Sequence, residues 1–256
     1  MSRSTHAYGP HPSQIAELFL PRGSGPFPVA IVVHGGYWRA RYDRALMDGV
    51  CSDLAAHGLA AWNVEYRRVG LGGGWPETFE DAARASDLLA EVDAPLDLDR
   101  VVAVGHSAGG QLATWITARP TLANDQPGAS PRVVVRAVAS QAGVLDLRLA
   151  AGIAPSSVPT RALLGDPDEH PDRYDHASPR ARLPLGIPQL VLHGDRDDTV
   201  SMRIATSYAA AATDAGDPCE LRVLTHTGHY EHIDARTAAW HAARDWLILQ
   251  TSAARS

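Results

Sequence analysis

Apolar and polar positions along the chain follow two alternating rhythms. Short runs rich in Val, Ile and Leu at 28–33, 59–66, 100–104, 133–140, 188–193 and 220–225 read as buried strands. An earlier run at 14–20 predicts an antiparallel edge strand. Between them, 44–57, 78–92, 108–119, 202–215 and 235–249 carry Ala, Leu and Trp at helical spacing with charges opposite. Pro76, followed by Glu77 and Glu80, opens the second helix with a favourable φ and acids near the positive dipole end. One helix per crossover between near-continuous apolar strands is the pattern of an α/β fold with a mostly parallel central sheet flanked by helices. The whole chain, 1–256, therefore reads as a single domain, a length at which one core still suffices.

Residues 143–186 break this rhythm. They are long, rich in proline and charge, and lie between two strand candidates. Connections of that length in compact domains usually have a use, and a partly helical cap over a pocket is the expectation.

Composition narrows the function classes. With 45% hydrophobic and 20% charged residues the chain can bury a sizeable core. A net charge of −6, with arginines scattered along the chain, argues against nucleic acid as a partner. The N-terminus lacks an apolar leader and no run approaches 18 apolar residues, so a cytoplasmic protein without membrane contact is expected. Cys51 and Cys219 stand far apart in no metal or redox spacing and read as reduced, structural thiols.

The chemistry concentrates at strand ends. Gly105-His106-Ser107-Ala108-Gly109 is a G-x-S-x-G directly after one predicted strand and directly before one predicted helix, the context of a nucleophile elbow. Small residues are required at Gly105 and Gly109 because the turn is sharp. The helix N-terminus beside Ser107 favours developing negative charge, and Ala108 N–H is one candidate oxyanion donor. His34-Gly35-Gly36-Tyr37-Trp38, after the strand 28–33, is comparable to the H-G-G-G oxyanion loop of esterases, with Gly36 and Tyr37 as further donors. His34 reads as a brace for that loop. Trp38 reads equally as a wall of the acyl pocket or as an anchor for the loop.

A serine hydroxyl needs a histidine to take its proton and a carboxylate to orient the imidazole, and after such an elbow the acid precedes the base along the chain. The strand 188–193 runs into Asp195, Asp197 and Asp198. The acid of such hydrolases usually stands three residues before a valine, which selects Asp197 ahead of Asp198, with Asp195 assigned to turn hydrogen bonding. The last strand leads to His226, His229 and His232. Their spacing lacks H-E-x-x-H and no carboxylate ligand accompanies them, so a metal site is not expected. Gly228-His229 fits the loop that presents the base.

Together these motifs resemble the α/β-hydrolase superfamily from about 29 to 249. With H-G-G-Y-W, G-H-S-A-G-G, H-G-D-x-D-D-x-V and T-G-H-Y, the chain looks like the kynurenine formamidases, or arylformamidases, and like related carboxylesterases. The resemblance implies Ser107, Asp197 and His229 as the triad and Gly36, Tyr37 and Ala108 as oxyanion donors; Trp38 and Tyr230 are candidate substrate contacts. It implies cleavage of a small acyl group, a formamide of tryptophan catabolism first and a short-chain ester as the alternative, with no cofactor and no metal. The expected partner is a small-molecule acyl substrate, with a homodimer among the assemblies considered. A peptidase is disfavoured because no residues are left for a gating domain, and a non-catalytic binding protein because every catalytic role has a suitable residue.

Overall fold

Eight strands form one sheet in the computed structural model, which describes residues 1–252. They are β1 (Ser2–Ala7), β2 (Ile15–Leu20), β3 (Phe27–Val33), β4 (Ala60–Val64), β5 (Leu96–His106), β6 (Val138–Gln141), β7 (Gln189–Gly194) and β8 (Cys219–Leu224), in the order β1-β2-β4-β3-β5-β6-β7-β8. β1 and β2 run antiparallel; from β4 to β8 every pairing is parallel. This is the α/β-hydrolase architecture. The run at 14–20 is antiparallel as expected but is not the edge, because β1 pairs outside it. β1 is polar and almost wholly exposed, so it leaves no apolar alternation in the sequence. The run at 133–140 contributes only its last three residues to β6, since pairing to β5 and β7 begins at Val138.

The helices are α1 (Asp48–Ala56), α2 (Glu77–Leu88), α3 (Ala108–Ala118), α4 (Leu147–Gly152), α5 (Ser157–Leu164), α6 (Pro171–Ala177), α7 (Met202–Asp214) and α8 (Ala238–Ser252). Strand alternation sends Ala30, Val32, Val102 and Val104 to one face, against Val50 and Leu54 of α1 and Trp240 and Leu247 of α8. Val29, Ile31 and Ala103 go to the other, against Phe79 of α2 and Leu112 of α3. Helix α3 is buried at all of its residues, which explains its lack of a polar face. Segment 143–186 holds α4 to α6 and is tied to α3, where Gln111 Nε2 donates to Ala177 O at 2.8 Å and Trp115 Nε1 to His176 O at 3.1 Å. Among the described residues no helix is long and apolar enough to cross a membrane.

Between β5 and α3 the backbone turns with no room to spare. A Cβ on Gly105 would lie 2.1 Å from the Gly109 carbonyl oxygen, and one on Gly109 would lie 2.1 Å from that of Val33. Glycine at 109 is therefore what lets α3 approach the end of β3. We expect Gly109→Ala to push helix from strand and lower stability by about 1–3 kcal/mol, the usual effect of overpacking a tight site, as read by chemical denaturation.

Two buried histidines contribute to the acid side of the stability profile. His232 is fully buried and neither ring nitrogen has a partner among the described residues. Burial first, then His193 and His229, pushes its imidazole down to about 4; burial does the same for His176. A histidine whose folded value lies below its ordinary 6.5 favours the native state fully above 6.5, and that contribution disappears as pH falls through 4. The melting temperature should therefore decline between pH 6.5 and 4, and His232→Phe should make that decline shallower.

Candidate active site

Every chemically singled-out residue sits at the carboxyl edge of the sheet, where open α/β sheets form their binding crevice. Ser107 follows β5, Asp197 follows β7, His229 follows β8, and the Gly36–Tyr37 loop follows β3. Ser107 has φ 56° and ψ −120°, a conformation costly for a side-chain-bearing residue and imposed here by the close glycine contacts on both sides. Its own N–H is held by Gln141 O at 2.8 Å, so the turn is anchored to β6.

The acid is fully paired. Asp197 Oδ1 accepts from the backbone N–H groups of Thr199 and Val200, both at 2.8 Å, and Oδ2 accepts from His229 Nδ1 at 2.7 Å. Although burial acts to raise its carboxyl, these bonds, that of His229 foremost, hold it below its ordinary value of 3.8. It remains an anion at neutral pH and fixes the His229 proton on Nδ1, leaving Nε2 free to accept. Asp195 accepts from Thr227 N–H at 3.3 Å and Asp198 bonds only its neighbour Thr199, so neither faces the base. Of the three histidines, His226 is exposed beside Arg196 and His232 is buried behind the site; only His229 meets the acid. Among the described residues no group of three or more His, Cys, Asp and Glu side chains is placed to hold a metal ion.

Ser107 and His229 border one cavity of about 30 Å³, with Gly36, Tyr37, Tyr42, Leu46, His106, Tyr230 and Ile233 as its other walls. No hydrogen bond joins Ser107 to His229 among the described residues, and contacts of this kind commonly tighten only when substrate is bound. Gly36 and Tyr37 line this cavity and Ala108 follows Ser107 along the chain, and none of their backbone N–H groups has an acceptor among the described residues. Tyr37 has φ 58° and Gly36 φ 109°, the geometry that turns the loop. A larger groove of about 560 Å³ near Met1, Arg22 and Ser52 contains none of these residues.

Two expectations change here. Trp38 is not a substrate contact: it is 1% exposed, packs in the core, and donates Nε1–H to Gln111 Oε1 at 3.1 Å, so it anchors the oxyanion loop to α3. Segment 143–186 supplies none of the walls of this cavity, which come instead from the end of β5 with the elbow and from the loops after β3 and β8. Tyr42, Leu46 and Ile233 carry no motif and are visible only in the folded chain; Tyr42 is set in place by Gly36, where a Cβ would lie 2.4 Å from its own. His34 braces its loop, with Nδ1 on Gly35 O at 2.7 Å and Nε2 on Glu65 Oε1 at 3.0 Å.

Known proteins resemble this chain in sequence and in fold. Among curated relatives, esterase LipC of Mycobacterium tuberculosis is 31% identical over 220 residues, covering 78% of this chain and 52% of LipC. Esterase LipQ of the same organism is 29% identical over 199 residues, covering 74% and 46%. The chain thus spans about half the length of the curated relatives it matches. Among solved structures, a truncated carbohydrate esterase from gut microbiota superposes with a TM-score of 0.84 at 21% identity, covering 98% of this chain and 97% of the other. Esterase B from Lactobacillus rhamnosis gives 0.85 at 19%, covering 99% and 86%. Likeness at such identity speaks for the fold alone. The BD-FAE family profile matches residues 17–211, most of the sheet and the elbow. The chain belongs to the BD-FAE family of α/β-hydrolases.

Proposed function

We propose that this protein is a carboxylic ester hydrolase that works through an acyl-enzyme on Ser107. The observation that carries the reading is the 2.7 Å bond from His229 Nδ1 to the buried Asp197, with His229 and Ser107 bordering one cavity. Ser107 Oγ adds to the ester carbonyl as its proton passes to His229 Nε2. The carbonyl oxygen becomes an oxyanion received by the N–H groups of Gly36, Tyr37 and Ala108. On collapse, the bond to the leaving alcohol breaks and His229 returns the proton to that oxygen. Water, deprotonated by His229, then releases the acid and restores the Ser107 hydroxyl.

Esterase relatives favour an ester over the formamide that the short sequence signature suggests. None of those relatives is a formamidase by name, so kynurenine formamidase activity has no counterpart among them. The cavity beside Ser107 and His229 is small, which favours short acyl chains. Tyr230, 59% exposed at the rim, would meet the alcohol side.

Ser107→Ala should lower kcat on p-nitrophenyl acetate by about 10⁶ and Asp197→Asn by about 10⁴, the usual effects of removing the nucleophile and of losing the correct imidazole tautomer. Along a series of p-nitrophenyl esters, kcat/KM should fall at least about tenfold from acetate to octanoate, because each misfit methylene costs roughly 1–3 kcal/mol. N-formyl-L-kynurenine should be the poorer substrate. Faster Ser107-dependent turnover of the formamide than of acetate would replace the ester reading with formamidase.

A further inference from the structure

Ser107 and His229 hang from strands that are not neighbours. The elbow follows β5, while His229 follows β8, which pairs with β7 alone. With β6 and β7 between them, the two strand ends stand about 14 Å apart at ordinary spacing. Backbone pairing therefore leaves the distance from base to nucleophile to be set by the loop after β8.

One side chain crosses that gap. His106 precedes the nucleophile and is 3% exposed, and its Nε2 donates to the backbone carbonyl of His229 itself at 2.9 Å. The two rings lie 4.5 Å apart between centroids. From the end of β6, Gln141 Nε2 donates at 2.9 Å to His232 O, three residues further along the same loop. The loop is thus drawn back over the sheet edge by two donors, and only that of His106 reaches the base residue. Burial, with His229 and His232 adding to it, pushes the His106 imidazole well below its ordinary value. It therefore stays neutral, with its proton on Nε2, and adds no positive charge to oppose protonation of His229.

We infer that His106 is a positioning residue, whose Nε2–H bond to the His229 carbonyl straps the base loop to the nucleophile elbow. This role rests on the proposed assignment of Ser107 and His229 and adds to it a reason why the residue before the nucleophile is histidine. A glutamine amide can replace the Nε2 donor; an asparagine amide is too short, and leucine has no donor at all.

The test compares His106→Gln, His106→Asn and His106→Leu with wild type, with Ser107→Ala as background and thermal unfolding as a check that each variant folds. Kinetics on p-nitrophenyl acetate are read beside the downfield proton resonance of the His229 Nδ1–H bonded to Asp197. Asn and Leu should each lower kcat about ten- to a hundredfold, as misplaced catalytic groups do, with KM within about twofold and the resonance broadened or lost. Gln should recover most of both. Wild-type kcat and an intact resonance in folded His106→Asn would overturn the strap, as would a Gln variant no better than Asn. If wild type shows no Ser107-dependent turnover, the hydrolase reading fails, and the resonance alone decides the strap.

Discussion

Everything at this site depends on how little space separates β3, β5 and α3. At the elbow the Gly105 and Gly109 positions face backbone oxygens closer than any Cβ could stand, so helix and strands meet backbone to backbone. That contact forces Ser107 to φ 56°, lifts its side chain above the sheet edge and aims the first free N–H groups of α3 at the same point. The strain is held because α3 is buried along its whole length and bonded to 143–186 on its far side. A looser core would let the turn relax and lose the geometry.

A second layer of order comes from polar residues placed where apolar strands end. His34, His106, Gln141 and His193 are all buried there, and each bonds a loop carbonyl: Gly35, His229, His232 and Val200 respectively. A buried donor costs free energy unless paired, so each of these side chains holds its loop in one arrangement. The His193 bond to Val200 O at 2.9 Å closes the turn that carries Asp197. The arrangement has a cost: His193 Nδ1, Gln141 Oε1 and both nitrogens of His232 remain unpartnered among the described residues. These unpartnered buried atoms cost stability behind the candidate site.

Much of this was legible in one dimension. Six strands, five helices and the elbow follow from periodicity and from glycine spacing, because those signals are local, although β8 is half-exposed and not buried. Asp197 and His229 were reachable because their loops follow strands in a known order. β1 was not legible, since an exposed polar strand has no alternation to read. Trp38 was left open between pocket wall and loop anchor because a side chain beside that loop can turn outward or inward, and its bond to Gln111, 73 residues away, turns it inward.

By itself the sequence determined the class of fold, a candidate nucleophile and a short menu of acids and bases, all properties of residue type and near spacing. Tertiary structure decided which carboxylate and which histidine meet, how small the cavity beside Ser107 is, and that Tyr42, Leu46 and Ile233 wall it. It also decided that His106 reaches His229 across two intervening strands. These are distances between residues far apart in the chain, and they exist only once the sheet has ordered its strands.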